Sequence, residues 1–70
     1  MQTIGQRIEQ ARAKRDVSIE RIAAECDVSV GTVRNWIGDS QSPRMEHAPD
    51  LCRVLGVSVS WLVFGKERAA

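Results

Sequence analysis

Residues 19–38 read I-E-R-I-A-A-E-C-D-V-S-V-G-T-V-R-N-W-I-G, and the apolar spacing of this stretch decides the fold. Ile19, Ile22, Ala23 and Cys26 recur at intervals of three and four, the repeat that lines one face of a helix. Ser18 stands just before them, where a hydroxyl caps the free amides of a first turn. A second helix starts after Ser29, the next good cap, with Val33, Trp36 and Ile37 on its apolar face. Asp27-Val28-Ser29 leaves room only for a sharp corner between the two. Ala23 is small enough to let the helices cross closely, and Val28 is placed to plug the corner from inside.

The same reading extends in both directions. Thr3 or Gln2 caps a first helix that runs to about Arg15, with Ile4, Ile8 and Ala11 as its inner stripe. Arg7, Arg12, Lys14 and Arg15 lie off that stripe, as a solvated basic surface whose C-terminal charges oppose the helix dipole. Asp16-Val17 is a short link with Val17 buried. After Gly38 periodicity stops, and Asp39 to Arg44 reads as a polar loop. A fourth helix follows from about Glu46 to Leu55, with Pro49 in its first turn, Leu51, Cys52 and Leu55 inward, and Gly56 at its end. Ser58 caps a last helix, Val59 to Phe64, with Trp61 and Leu62 inward and Gly65 as its stop. The chain shows no internal repeats and no strand-like alternation. It is predicted to be an all-α bundle of about five short helices, one domain over 1–65 followed by a short frayed tail at 66–70.

Seventy residues bury only a modest core. An apolar fraction of 43% and a charged fraction of 27% are ordinary for a globular domain. No apolar run reaches membrane-span length and no signal-peptide pattern opens the chain, so a cytoplasmic protein is expected. A net charge of +1 argues against holding nucleic acid by bulk charge, though not against a local basic face. Cys26 and Cys52, the only cysteines, sit on apolar faces and read as buried reduced thiols. His47 has no partner spacing for a metal, so no metal or cofactor is expected.

Residues 19–38 resemble the helix-turn-helix of the phage Cro and repressor proteins, the XRE family. Ala23 fills the small fifth position of that motif, and Asp27, Val28 and Val33 fill its turn, post-turn and mid-helix positions. Leu55 to Gly65, L-G-V-S-V-S-W-L-V-F-G, is similar to the family's last helix. The family's turn residue is usually glycine, which makes Asp27 a left-handed aspartate here. The family's glutamate after the tryptophan is replaced in Ile37-Gly38-Asp39, leaving Arg12 without the ion-pair partner that the family provides.

The resemblance implies a lambda-repressor-like domain that reads double-stranded DNA. The major groove admits one helix, and its floor distinguishes all four base pairs. Val30, Gly31, Arg34 and Asn35 would then face the bases. Asn35 suits adenine, Arg34 suits guanine or a phosphate, and Val30 suits a thymine methyl. The backbone contacts implied are Arg12, Ser18, Ser29, Thr32, Ser40, Gln41, Ser42 and Arg44. Val59, Val63 and Phe64 are apolar beyond what the core needs, and the family pairs through this region, so a homodimer on a palindromic operator is expected. The alternative for Phe64 is packing back on the first helix. The competing function is an antitoxin-like or adaptor module that binds protein with the same fold, but Gly31, Arg34 and Asn35 make a poor apolar docking face. An enzyme is not expected, for His47 stands without a nucleophile or carboxylate arrangement, and neither is a small-molecule substrate.

Overall fold

The computed structural model describes residues 2–66, and these are all-helical. The helices are α1 (Ile4–Arg15), α2 (Ile19–Cys26), α3 (Val30–Ile37), α4 (Ala48–Leu55) and α5 (Val59–Phe64), with a one-turn 3-10 helix at Met45–His47. Apart from Lys66, the tail expected at 66–70 lies outside the described residues. The fourth helix starts later than Glu46. Its first expected turn is the 3-10 piece, and Pro49 falls in the first turn of α4, where its missing amide costs nothing.

Three of the corners share one plan, a short repeat where none is expected from the sequence. Asp16-Val17-Ser18, Asp27-Val28-Ser29 and Gly56-Val57-Ser58 each carry a left-handed residue, a valine and a serine. At Asp27 (φ 56°) the backbone amide reaches Ala24 and that of Val28 reaches Ala23 at 3.0 Å, so the last carbonyls of α2 are satisfied. The valine turns toward the core: Val17 is buried, and Val28 and Val57 pack half-buried against it. Each serine then caps the next helix, its hydroxyl accepting from Arg21, Thr32 and Trp61 respectively at 3.0–3.1 Å.

The core is one cluster in which Ile8, Ile22, Val33, Trp36, Leu51, Leu55 and Leu62 are essentially sealed from solvent. It lies where α1 meets α3 and α5, and where α2 meets α3 and α4. His47 is half-buried, and its ring lies 5.5 Å from that of Trp36. Trp61 is half-buried rather than fully inward. No helix among the described residues is long and apolar enough to cross a membrane.

Cys26 and Cys52 are free and buried. Burial, reinforced by the carboxylates of Asp50 and Glu25 and opposed by Arg53, pushes the Cys26 thiol up to about 11. The folded chain therefore keeps this proton to higher pH than the unfolded chain does. The resulting stability is complete below the ordinary thiol value, about 8.5, and is lost as pH rises through about 11. Cys26→Ala is expected to lose less stability than the parent between pH 8 and 11, by urea titration at each pH. Equal slopes in the two proteins would refute the assignment.

Candidate nucleic-acid interface

The surface that the sequence singles out is built around α3. Its N-terminus is held by Ser29, whose hydroxyl accepts from the Thr32 amide at 3.1 Å and shares a 2.9 Å hydrogen bond with the Thr32 hydroxyl. Both side chains are therefore engaged in the cap, as is the Ser18 hydroxyl at the start of α2. Each of these helix ends still presents first-turn amides, which favour an anion. With Val33 and Trp36 buried and Ile37 half-buried, the opposite side of α3 carries Gly31, Arg34 and Asn35, all exposed. The Arg34 guanidinium has no hydrogen-bond or ion-pair partner among the described residues, while its carbonyl accepts from the Gly38 amide at 2.9 Å.

Val30 does not share that placement. Expected outward, it is half-buried and packs against the core. It is the first residue of α3, and the corner turns part of its side chain toward the neighbouring apolar residues. This leaves Gly31, Arg34 and Asn35 as the residues that face solvent squarely.

The loop after α3 folds back on the end of that helix, where one carbonyl takes two of its amides. The Asn35 carbonyl accepts from the backbone amides of Ser40 (3.0 Å) and Gln41 (3.3 Å), and its side-chain amide points to the Gln41 Oε1 at 3.4 Å. Ser40, Gln41, Ser42 and Arg44 are all exposed beside it. Arg44 lies 4.0 Å from Glu46, with its side chain largely in solvent. A surface pair of this kind contributes little and leaves the cation usable.

Arg12 is not left without a partner. Its Nε and Nη2 donate to the Glu9 carboxylate at 3.0 and 2.6 Å, and its Nη1 donates to the Val17 carbonyl at 3.0 Å. The Arg12 hydrogen bond holds the Glu9 carboxyl below its ordinary value. A glutamate three residues earlier on the same helix thus replaces the partner missing after Trp36, and the pair braces the α1–α2 link.

Arg7 overturns the sequence expectation most sharply. Instead of lying on a solvated face it is buried, 7% exposed. Its guanidinium donates to the carbonyls of Leu62 (2.7 Å), Val63 (3.0 Å) and Gln2 (2.7 Å), tying the end of α5 to α1. Asp39 was also missed. Its carboxylate accepts from the Gly5 amide at 3.0 Å and the Thr3 hydroxyl at 2.5 Å, so the loop after α3 caps α1 from 34 residues away. Neither contact is signalled locally, because the Leu62 and Val63 carbonyls that Arg7 meets, and the start of α1 that Asp39 meets, belong to other parts of the chain.

Beside the loop, α5 leaves Val59, Val63 and Phe64 exposed, Phe64 by 74%. Phe64 therefore does not pack back on α1. Together with Met45, Pro43 and Leu51 these side chains border an apolar groove of about 320 Å³.

The helix-turn-helix family matches residues 8–62. No curated protein matches the chain. Among solved structures, the chain is similar to the P22 c2 repressor, described in complex with a synthetic operator, at 24% identity and TM-score 0.87, over 94% of this chain and 100% of that one. It is also similar to the N-terminal DNA-binding domain of SinR from Bacillus subtilis, at 28% identity and TM-score 0.76, over 96% of both chains. With the family matched from α1 to α5 and the fold shared with these lambda-repressor-type domains, the chain belongs to the XRE-type helix-turn-helix family of DNA-binding transcription regulators.

Proposed function

We propose that this chain is a sequence-specific regulator of the phage repressor type, which enters the major groove of a palindromic operator with α3 and binds as a homodimer. The reading rests chiefly on the exposure of Gly31, Arg34 and Asn35 on one side of α3, opposite buried Val33 and Trp36. Asn35 can pair with adenine through two hydrogen bonds, and Arg34 with guanine or a phosphate. Gly31 permits close approach. The capped ends of α2 and α3 at Ser18 and Ser29, with Thr32, and the loop residues Ser40, Gln41, Ser42 and Arg44 would hold phosphates. Arg12, engaged with Glu9, would add a backbone contact from the α1–α2 link. The domain, 1–65, would work at the chromosome, in the cytoplasm. Exposed Val59, Val63 and Phe64 support pairing through α5, since apolar clusters of this kind mark interfaces.

A binding selection on random duplex DNA supplies the operator, and a two-fold repeat in it would show the dimer. Titrating variants against operator and scrambled duplex at several salt concentrations then tests the reading face. Asn35→Ala is expected to lose about 1–3 kcal/mol of discrimination at one base pair per half-site, with non-specific binding nearly unchanged. Arg44→Ala is expected to weaken both duplexes together and to reduce the salt slope by about one. Arg34→Ala should follow Asn35 if it touches a base and Arg44 if it holds a phosphate. Equal weakening of both duplexes by Asn35→Ala, or of neither, would remove α3 from the groove floor.

A further inference from the structure

A second concavity, of about 520 Å³, lies between the C-terminal half of α1 and the α4–α5 corner, and no residue of α2 or α3 lines it. Its lining is mixed: Ala11 and Leu55, buried, and Val57 and Trp61, half-buried, supply the apolar part, and Gln10, Lys14 and Arg15 the polar part. Lys14 and Arg15 stand on its rim, both exposed and both without an ion pair among the described residues. The Arg15 side chain lies across Gly56. A Cβ built on that glycine would sit 1.9 Å from the Arg15 Nη1, so the absence of a side chain at this corner, where the left-handed residue (φ +69°) ends α4, leaves room for the guanidinium.

The size falls within the range of ligand sites, about 300–1,000 Å³, but the lining favours a chain over a small molecule. A small ligand is oriented by polar groups set into a pocket's walls. Here the two cations, Lys14 and Arg15, are solvent-exposed rather than enclosed, beside apolar surface from Ala11, Val57 and Trp61. That pattern suits one apolar side chain lowered onto Trp61 while carboxylates on either side of it meet Lys14 and Arg15. Helix-dipole compensation alone leaves the second feature unexplained, because a cation opposing the dipole of α1 needs no apolar floor beside it.

We propose that this cleft receives an acidic peptide segment of a partner protein, with an apolar residue on the Trp61 floor and flanking carboxylates on Lys14 and Arg15. The segment docks away from α3, so it binds the DNA-free and DNA-bound protein alike, and the proposal stands independently of the DNA reading above.

The probe is a capped pentapeptide, phenylalanine flanked by two glutamates on each side, titrated into the full chain at low ionic strength with amide and indole resonances followed by NMR. The indole N–H of Trp61 and amides in 10–15 and 55–61 are expected to shift, while the indole of Trp36, 1% exposed, stays still. The double variant Lys14→Glu, Arg15→Glu is expected to raise the dissociation constant at least about fivefold. Its neutral counterpart Lys14→Gln, Arg15→Gln should fall between, and both amide spectra report whether the fold is kept. Arg21→Glu removes the same kind of charge outside the cleft and should change little. Three results would overturn the proposal: glutamine replacing glutamate in the peptide without loss, Arg21→Glu weakening binding as much as the cleft variants, or 3-phenylpropionate binding as tightly as the peptide, which would mark a small-molecule site.

Discussion

Replacing Gly5 with alanine is expected to lower the melting temperature by about 12–20 °C, a loss of about 3 kcal/mol for a domain of this size. Gly5 is buried in the first turn of α1, against the end of α3. A Cβ there would stand 2.4 Å from the Ile37 carbonyl oxygen, 2.5 Å from that of Trp36 and 2.7 Å from an Asp39 carboxylate oxygen. The first two neighbours are backbone, which cannot swing aside as a side chain would. The helices must separate, and the Asp39 contacts with Gly5 and Thr3 then lengthen with them. Gly31→Ala is the control. Its Cβ meets nothing nearer than the Ser29 Oγ at 3.8 Å, so the usual preference of a helix for alanine should raise stability, by up to about 1 kcal/mol. Thermal melts followed by circular dichroism measure both. A Gly5→Ala protein that melts with the parent would mean that α1 and α3 do not approach this closely in solution.

Arg7→Met is expected to destabilise by about 2–3 kcal/mol and to release α5 before the rest of the fold. Methionine keeps the apolar stem of arginine but none of its donors. The Leu62 and Val63 carbonyls belong to the last turn of α5, where no intrahelical amide remains for them. The negative end of the α5 dipole faces the guanidinium as well. Arg7→Lys should recover only part of the loss, because one ammonium cannot meet three divergent carbonyls. Amide hydrogen exchange separates the local from the global effect, with protection in 59–64 falling more than protection in 51–55. Uniform loss across both segments would mean that Arg7 supports the whole core rather than the docking of α5. Since Val59, Val63 and Phe64 ride on α5, the same substitution should weaken the proposed dimer.

What could be read from the sequence was what neighbouring residues decide. Ser18, Ser29 and Ser58 each cap the helix that follows, because the hydroxyl and the amide it accepts are three residues apart in the chain. The left-handed backbone of Asp27 is equally local, since it closes hydrogen bonds within the preceding turn. The inward faces of α2, α3 and α4 follow from a 3.6-residue repeat, and Ile22, Val33, Trp36, Leu51 and Leu55 are indeed sealed. The exposed positions of Arg34 and Asn35 follow from the same geometry.

Only the tertiary structure decided the rest. Arg7 reads as a surface residue because it is charged, although it stands three residues after Ile4 and four before Ala11 at the edge of their stripe; its three acceptors include carbonyls 55 and 56 residues away. Gly5 has no side chain with which to signal that another backbone is pressed against it. Asp39 looks like a loop residue until α3 brings its carboxylate to the start of α1. Val30 turns partly inward because the corner, not the helical repeat, aims the first residue of α3. Hydrophobic periodicity shows which face of a helix leaves water, but not what that face meets. A polar group is buried only where distant carbonyls or amides converge on it, and that convergence is set by how the helices cross.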